Sequence, residues 1–398
     1  MTLFFLIVVM VLSLMYGYIG WRLIIPAAFS TPVNSLLWGL LVIFVVLPFF
    51  THIANHYVLK GTWVDMMAWI GYLSFGFFTL LFALLVTRDL IFLISAGASK
   101  AYHLITHIFN AGSAVVDTVD PERRRLLVNS INLGLLGITA ALTGYGLFEA
   151  LRKPAIVEIP VPVKNLPQDL DGYKIVQITD LHVSHTIRKP FIKAVVASVN
   201  ELDPDLVVLT GDLVDGSVDE FAGDVAPLAD LKASDGAFFV TGNHEYYSGV
   251  EPWLVETNRL GFTNLMNEHR VIKRGDGLLL LAGVTDYSGG DFNRTHLSDP
   301  HRAAEGAPEC HVRILLAHQP KSIFEAARAG FDYVITGHTH GGQYFPYHFL
   351  AALAQPYISG LHRHGNTRIY VSNSTGYWGP QIRLGARSEI TVHRLTAD

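Results

Sequence analysis

The fold of this chain is best inferred from the segment Val334-Ile-Thr-Gly-His338-Thr-His340-Gly-Gly-Gln343. A short, β-branched apolar run of this kind is typical of a buried strand, and here it ends abruptly in Gly-His-x-His-Gly-Gly. Glycine frees the backbone on both sides of the two histidines. The two imidazoles can therefore reach adjacent metal ions at the end of a strand.

Four more stretches of the same kind precede it: Asp180-Leu-His182, Gly211-Asp212, Gly242-Asn243-His244-Glu245 and Ala317-His318-Gln-Pro320. Each follows a short apolar run that predicts another buried strand. Polar side chains at the ends of several strands predict one shared site, because ligand crevices form where such strands stop. Helical patterns over Phe191–Val199 and Ser322–Ala329 alternate with the strands and favour an α/β fold.

The ordered motifs resemble those of the calcineurin-like metallophosphoesterases over roughly residues 157–395. The stretch Tyr370–Gly376, followed by Arg383 and Glu389, is similar to the membrane-associated bacterial branch of YkuE-like phosphoesterases. The resemblance implies a domain of two packed β-sheets flanked by helices. It also implies a metal-dependent hydrolase that cleaves phosphoester bonds through a metal-bridging hydroxide.

The same resemblance implies two divalent metal ions. One ion would take Asp180, His182, Asp212 and His340, and the other would take Asp212, Asn243, His318 and His338. Asp212 and His244 would be the catalytic residues, with His244 at the rim and free of metal. Oxygen and nitrogen ligands without sulfur suit manganese, iron or zinc, whereas magnesium suits four histidines less well.

Several neighbours of these motifs are candidates for supporting roles. Asp215 and Glu245 could orient histidines. Gly341 and Gly342 would allow close approach of the backbone, and Gln343 would contact substrate. Asp286 and His185 lie near motif positions and are the next candidates. His185 and five further histidines are expected to be polar loop residues: His269, His311, His348, His362 and His364.

Residues 1–150 are strongly apolar and carry few charges. A transmembrane helix needs about 20 apolar residues, and four segments qualify: 3–21, 36–54, 66–86 and 127–148. Trp21, Trp38, Trp63 and Trp69 lie near segment ends, as interfacial tryptophans do. We therefore expect a membrane domain of about four helices over 1–150, a linker over 151–172 and a phosphoesterase domain over 173–398.

Basic residues predict the orientation in the membrane. Arg88, Lys100, Arg123, Arg124 and Arg125 lie in the third connection, against Lys60, Arg152 and Lys153 on the opposite side. The excess places the third connection in the cytoplasm and the phosphoesterase domain outside it. Leu90–Phe109 is predicted to be an interfacial helix, and the orientation reverses if it spans. The run Arg123–Arg125 favours a positive-inside anchor over a twin-arginine export signal.

The net charge of −5 is small, and the sequence lacks a basic patch with interleaved aromatic residues, which argues against nucleic acid as a partner. The apolar stretch 345–357 follows the last motif and favours core packing or an apolar wall beside the metals. We expect an integral protein of the bacterial plasma membrane that cleaves a lipid-linked or membrane-proximal phosphodiester or diphosphate. Two alternatives remain: an anchored enzyme for soluble substrates, and an inactive membrane sensor or scaffold.

Overall fold

The computed structural model describes residues 2–50, 61–109 and 120–398. The chain divides into two compact units, Met1–Tyr145 and Gly146–Asp398. Residues 51–54, at the end of the second predicted membrane segment, and Lys60 lie outside the described residues. The first unit is built from four long helices: α1 (Thr2–Ala27), α2 (Thr31–Val46), α3 (Thr62–Phe109) and α4 (Pro121–Leu151).

All four helices, with α2 extended by the turn that follows it to Thr31–Phe49, are long and apolar enough to cross a membrane, so the predicted number of helices is confirmed. Tyr16 and Ile19 of α1 pack with Leu81 and Leu85 of α3 in the centre of the unit. Helix α2 ends at Val46, and Pro48 lies in the 3₁₀ turn Leu47–Phe49 that follows, because proline cannot continue the hydrogen-bond ladder.

Helix α3 continues without a break through Leu90–Phe109, where the sequence predicts a separate interfacial helix. The segment contains no proline, and the single Gly97 costs only about 1 kcal/mol of helix propensity, which is too little to end a long helix. With 48 residues, α3 is about 72 Å long at ~1.5 Å per residue, more than twice the ~30 Å hydrocarbon core of a bilayer. One continuous helix therefore replaces the predicted third membrane segment and the predicted separate interfacial helix.

The second unit holds two six-stranded sheets, with the strand orders β1-β12-β2-β3-β4-β5 and β10-β11-β9-β8-β7-β6. The strands of the first sheet are β1 (Ala155–Val163), β2 (Lys174–Ile178), β3 (Leu206–Thr210), β4 (Ala237–Val240), β5 (Phe262–Asn264) and β12 (Glu389–Ala397). Those of the second are β6 (Glu268–Arg274), β7 (Gly277–Gly283), β8 (Val312–Leu316), β9 (Tyr333–Thr336), β10 (Gly360–His364) and β11 (Thr367–Val371).

Apolar side chains of the two sheets meet in one core, which includes Ile175 and Leu206 of the first sheet and Leu279 and Ile335 of the second. The flanking helices are α5 (Lys189–Glu201), α6 (Val218–Val225), α7 (Asn243–Ser248), α8 (Val250–Arg259), α9 (Gly289–Phe292), α10 (Pro300–Ala303), α11 (Ile323–Arg328) and α12 (Tyr347–Ala354). Two packed sheets flanked by helices confirm the predicted α/β fold. The predicted helices correspond to α5 and α11.

The linker predicted over 151–172 is wrong for Ala155–Val163, because this segment is the edge strand β1 and pairs in parallel with β12. Pro160 and Pro162 suggested a linker. They are two residues apart, so both missing N–H groups face the open edge of the sheet, where proline is tolerated. Val161 and Val163 are buried in the core. The folded unit therefore includes residues that the sequence assigned to the connection.

Candidate active site

All seven predicted metal ligands lie just beyond the carboxyl ends of strands. Asp180 and His182 follow β2, Asp212 follows β3 and Asn243 follows β4, while His318 follows β8, and His338 and His340 follow β9. Neighbouring strands β2, β3 and β4 run parallel, as do β7, β8 and β9. Their carboxyl ends therefore share one edge in each sheet. The two edges bring the seven side chains together.

Five of these seven residues have a left-handed backbone, which non-glycine residues adopt uncommonly. The φ angles are 52° at Asp180, 49° at His182, 52° at Asp212, 73° at His338 and 52° at His340. This conformation costs about 1–2 kcal/mol per residue. Such strained residues cluster at active sites, where the surrounding structure holds them in place. The strain is therefore an independent sign of function.

Glycines directly before two of the ligands are required by close packing. A Cβ atom on Gly242 would lie 2.2 Å from Oδ1 of Asp212, and one on Gly337 would lie 2.2 Å from Oδ2 of Asp180. Any side chain at either glycine would push a carboxylate out of place. The glycines in the motifs are thus explained by the approach of a carboxylate to the backbone.

One group of ligand atoms comes from Asp180, His182 and His340, all within 4.8 Å of one another. The Nε2 atoms of His182 and His340 are 3.1 Å apart. His340 Nε2 is 3.6 Å from Oδ1 of Asp180. Two ring nitrogens and a carboxylate oxygen that face one point in a buried site form a suitable set of ligands for a divalent metal.

A second group comes from Asp212, His318 and His338. His318 Nε2 is 3.1 Å from Oδ2 of Asp212 and 3.0 Å from Nδ1 of His338. Beside them, the Oδ1 atom of Asn243 is buried and has no hydrogen-bond partner in the described part of the chain. A buried oxygen without a partner is unfavourable unless a cation or water satisfies it. These residues therefore fit a bound metal.

Asp212 connects the two groups, because the same Oδ2 atom lies 3.7 Å from Nε2 of His182. The other oxygen, Oδ1, accepts a hydrogen bond from the backbone N–H of His244 at 2.9 Å. One oxygen is thus fixed by the backbone, and the other faces histidines of both groups.

Hydrogen bonds fix the orientation of the histidine rings. His182 Nδ1 lies 2.8 Å from Oδ1 of Asp215, and His318 Nδ1 lies 2.8 Å from the carbonyl oxygen of Thr210. Both contacts place the proton on Nδ1 and leave Nε2 free to bind a metal. Asp215 therefore has the orienting role that the sequence predicts for it.

The pKa values of two ligands favour neutral imidazole, the form that binds metal. Burial, reinforced by the neighbouring His318, lowers the pKa of His338 to about 4. Burial and the neighbouring His182 and Arg383 lower the pKa of His340 well below its usual value.

The pKa values of His318 and Asp212 shift in opposite directions from each other, because each group stabilises the charged form of the other. Burial lowers the pKa of His318, but the Asp212 carboxylate outweighs it and raises that pKa well above its usual value. Burial raises the pKa of Asp212, but the charges of His318 and His244 outweigh it and lower it well below its usual value. Asp212 thus requires a positive charge beside it, which either a proton or a metal ion can supply.

Glu245 does not orient a histidine, contrary to the prediction. Its carboxylate accepts backbone N–H groups of Asp212 (3.0 Å), Leu213 (2.7 Å) and Gly242 (2.6 Å). The side chain lies at the start of α7 and is fully buried. It therefore joins the loop after β3 to the loop after β4. The contacts with Asp212 and Leu213 span more than thirty residues, which local sequence cannot reveal, whereas the contact with Gly242 is a capping box at the start of α7.

Gln343 also differs from its prediction, because its side chain is buried and bonded to the loop at Trp378–Pro380. Its Nε2 donates to the carbonyl oxygens of Trp378 and Pro380, and its Oε1 accepts the N–H of Trp378, all at 3.0 Å. Gln343 holds Trp378 in place instead of pointing toward a substrate. Gly341 and Gly342 have positive φ angles and do allow close backbone approach.

The rim contains aromatic residues that the sequence did not single out. The His244 ring packs edge-on against Tyr247 (5.2 Å between centroids) and Trp378 (5.8 Å). Its Nδ1 lies 2.7 Å from Oδ1 of Asp215. Tyr247 stands three residues after His244 on α7, a spacing that could have indicated the contact. Trp378 gave no local signal, because its position depends on Gln343.

Other candidates lie beside the site or away from it. Asp286 is buried and accepts Nε2–H of Gln319 at 3.1 Å, directly next to His318. His185 instead pairs with Glu220 at 3.0 Å. In the C-terminal stretch, Arg383 Nη2 lies 3.3 Å from Nδ1 of His340, and Glu389 accepts hydrogen bonds from Tyr370, Ser372 and Asn373. The prediction of loop residues is wrong for four histidines, because His269 lies in β6, His348 in α12, and His362 and His364 in β10. None of the expected loop histidines belongs to a metal-ligand group within the described ranges.

The apolar stretch after the last motif does not form core packing. It contains α12, and Phe349, Leu350 and Leu353 of that helix are exposed to 57%, 58% and 86%. An eight-residue helix with three large exposed apolar side chains favours the other alternative, an apolar wall near the site.

The sequence pattern of calcineurin-like phosphoesterases matches residues 173–342. A metallophosphoesterase of Helicobacter pylori strain J99 is 37% identical over 83% of this chain and 90% of its own length. A bovine transmembrane protein with a metallophosphoesterase domain is 37% identical over 76% of this chain and 69% of its own. YkuE, a metallophosphoesterase of Bacillus subtilis, is 29% identical over 69% of this chain and 97% of its own. The chain therefore belongs to the calcineurin-like metallophosphoesterases and is a metal-dependent phosphoesterase.

Proposed function

We propose that this protein hydrolyses phosphoester bonds at a site for two divalent metal ions. One observation carries the proposal: Oδ2 of Asp212 lies 3.1 Å from Nε2 of His318 and 3.7 Å from Nε2 of His182, so it faces both groups of ligand atoms, beside the buried and unpaired Oδ1 of Asn243. One ion would be held by Asp180, His182, Asp212 and His340. The other would be held by Asp212, Asn243, His318 and His338.

Two cations, when bound, supply Lewis-acid chemistry to the phosphate and to the attacking water. Four imidazoles, two carboxylates and an amide favour manganese, iron or zinc over magnesium. The protein supplies the rest. Its backbone strain and hydrogen bonds hold the ligands in one arrangement, so little reorganisation is needed during the reaction.

His244 is proposed to donate a proton or a hydrogen bond to the leaving oxygen. Burial lowers its pKa, but the carboxylates of Asp212 and Asp215 outweigh burial and raise it to about 9. Bound cations would counteract this rise. Its Nδ1 is engaged by Asp215, so Nε2 is the atom left for substrate. Because Nε2 lies 4.0 Å from Asp212, the same atom could instead bind metal, and the variant discussed below separates the two roles.

The favoured substrate is a lipid or lipid-linked phosphodiester or diphosphate. The exposed apolar side chains of α12 beside the ligand loops support this class, as do the four helices of membrane-spanning length. An anchored enzyme for soluble phosphoesters is the alternative. A scaffold without activity would not need seven metal-ligating side chains in one place. Membership of a bacterial YkuE-like branch remains a prediction, since animal proteins match this chain as well.

A hydrolysis screen on the purified full-length protein tests the proposal. The screen would compare phosphomonoesters, soluble phosphodiesters and lipid diphosphates with manganese, iron, zinc or magnesium added after chelation. We expect no turnover after chelation and recovery with one of the first three metals. Hydrolysis that persists at the full rate without any metal would contradict the proposal.

We also propose that residues 151–398 lie outside the cytoplasm of a bacterial cell. Arg88, one of the residues behind this prediction, is buried and donates to Asp89 at 2.8 Å, so its charge is compensated inside the helical unit. The proposal therefore rests mainly on the exposed Arg123, Arg124 and Arg125 in the first turn of α4.

Fusion proteins check this topology. Alkaline phosphatase joined after Asp398 should be active, because it folds only outside the cytoplasm, whereas a fluorescent protein that matures only in the cytoplasm should stay dark. Reversing the charge of Arg123, Arg124 and Arg125 to glutamate should lower the phosphatase signal. An inactive phosphatase fusion together with a fluorescent cytoplasmic reporter would contradict the proposed orientation. It would mean that the unbroken helix through Leu90–Phe109 changes the number of membrane crossings.

A further inference from the structure

Large exposed apolar side chains are carried by three segments that contact His244 or the loops of the candidate site. We call these residues the apolar collar: Tyr247, Phe292, Phe349, Leu350, Leu353 and Trp378. Their exposed fractions run from 47% at Trp378 to 86% at Leu353. Single exposed apolar residues are ordinary, but a group of them attached to one site indicates a surface that binds something apolar.

Two parts of the collar are fixed to His244. Tyr247 follows it on α7, and Phe292 packs against Tyr247 with 5.6 Å between ring centroids. Trp378 also packs edge-on against His244, and Gln343 holds its backbone at both the N–H and the carbonyl group. These rings therefore keep a defined position relative to the site.

The third part, α12, is attached to the ligand loops at both ends. At its start, a Cβ atom on Gly342 would lie 2.4 Å from Cα of His348, so loop and helix pack closely against each other. Beyond its end, Gln355 Nε2 donates to Oε1 of Gln319 at 3.0 Å, next to His318. Thr339, between two ligands, donates to the carbonyl of Ile358 at 2.7 Å. The helix is thus held close to the loops that carry the candidate ligands.

On this basis we propose that the apolar collar docks on a lipid surface, with the mouth of the site facing the headgroups. The stretch Tyr333–His362 contains no Asp, Glu, Lys or Arg. Phe349, Leu350 and Leu353 share one face of α12, since they are three and four residues apart. A bilayer accepts this uncharged face, and Trp378 and Tyr247 suit the interface beneath it.

A lipid surface fits better than a protein partner. The same chain carries four helices of membrane-spanning length and composition, so a membrane that holds these helices would supply the lipid surface. Protein interfaces combine an apolar centre with a polar and charged rim, whereas the α12 stretch offers no charge for such a rim. A second copy of the chain is the other possible occupant, and the experiment distinguishes it.

Depth-dependent quenching tests the docking directly. In a Cys310→Ser background, Leu353→Cys in the full-length protein would carry an environment-sensitive dye, in phosphatidylcholine vesicles containing spin-labelled lipid. The matched control is Val255→Cys, since Val255 is 71% exposed but lies on α8 among charged residues. We expect lipid to quench the dye at position 353 and not at 255. Equal quenching at both positions, or none at 353, would overturn the proposal.

Disulfide cross-linking between Leu353→Cys copies, without quenching by lipid, would assign the face to a second copy and would also overturn the proposal. These binding measurements do not depend on catalysis. A kinetic measurement, in contrast, depends on catalysis and therefore rests on the proposed function. It compares phosphatidyl-p-nitrophenol in vesicles with soluble bis(p-nitrophenyl) phosphate.

In the double variant Leu350→Ser/Leu353→Ser, the ratio of kcat/KM for the vesicle substrate to that for the soluble one should fall roughly tenfold or more, because two leucine side chains would no longer be buried in lipid. Val255→Ser should keep the native ratio. An unchanged ratio in the double variant would count against docking. Failure to hydrolyse either substrate would count against the proposed function alone, because the quenching result would stand.

Discussion

Asp212→Asn is expected to abolish turnover and reduce bound metal while leaving the fold intact. Asparagine has the same shape and tolerates the left-handed backbone of Asp212 (φ 52°), so the substitution adds no backbone strain. Its Oδ1 can still accept the N–H of His244. The lost negative charge, however, faces both ligand groups. Removing several kcal/mol of metal-based stabilisation should lower kcat by about 10³-fold or more.

The matched control is Asp203→Asn. Asp203 also has a left-handed backbone (φ 49°), but it is exposed and precedes β3, whereas Asp212 follows the same strand. Metal content, measured by elemental analysis, and hydrolysis should be native in this control. Circular dichroism should be native in both variants. If Asp212→Asn kept two metals per chain and a near-native rate, a shared carboxylate between two ions would be the wrong description.

The clustering of the candidate ligands at one place could be predicted because each of them carries a local signal. An apolar run followed by Gly and then by Asp, Asn or His marks a strand end with a projecting polar side chain, and related patterns occur at β2, β3, β4, β8 and β9. Parallel strands then bring their carboxyl ends to one edge without any further information. The resemblance supplied the division of the side chains between two metal ions, which local sequence does not contain.

Contacts between distant parts of the chain could not be predicted. Glu245 binds the backbone of the loop after β3, and Gln343 binds that of Trp378, so their roles follow from tertiary packing alone. For both residues the sequence indicates the right region but the wrong partner. Trp378 lies inside the C-terminal stretch with the YkuE-like resemblance, but its contact with Gln343 joins residues 35 positions apart and leaves no local pattern.

The errors in the fold have a similar origin. Proline at 160 and 162 is equally typical of a linker and of an edge strand, and only the pairing of β1 with β12 decides between them. The sequence-based prediction divides the continuous helix α3 in two, because charged and polar residues after Leu90 interrupt its apolar pattern. Hydropathy indicates whether the side chains of a helix face lipid or water. It does not indicate where the helix ends, because the helix continues until a residue breaks its backbone hydrogen bonds.

His244→Ala is the second variant with a large expected effect. If His244 assists the leaving group, kcat should fall by roughly 10²–10⁴, the usual contribution of a general acid. Metal content should not change. Alkyl phosphodiesters should be affected more than p-nitrophenyl diesters, because a good leaving group needs little protonation. His301→Ala, at an exposed histidine of α10, serves as the control and should retain native kcat.

The position of His244 makes metal content the decisive measurement. Its ring packs edge-on against that of His182 at 4.7 Å, and both rings approach the same oxygen of Asp215. Its Nε2 belongs with His182 and Asp212 to a third possible group of ligand atoms. Loss of one metal ion in His244→Ala, with an equal rate reduction for good and poor leaving groups, would make His244 a ligand. Unchanged metal with a steeper dependence on the leaving group would make it the acid, because only proton donation depends on how basic the departing oxygen is.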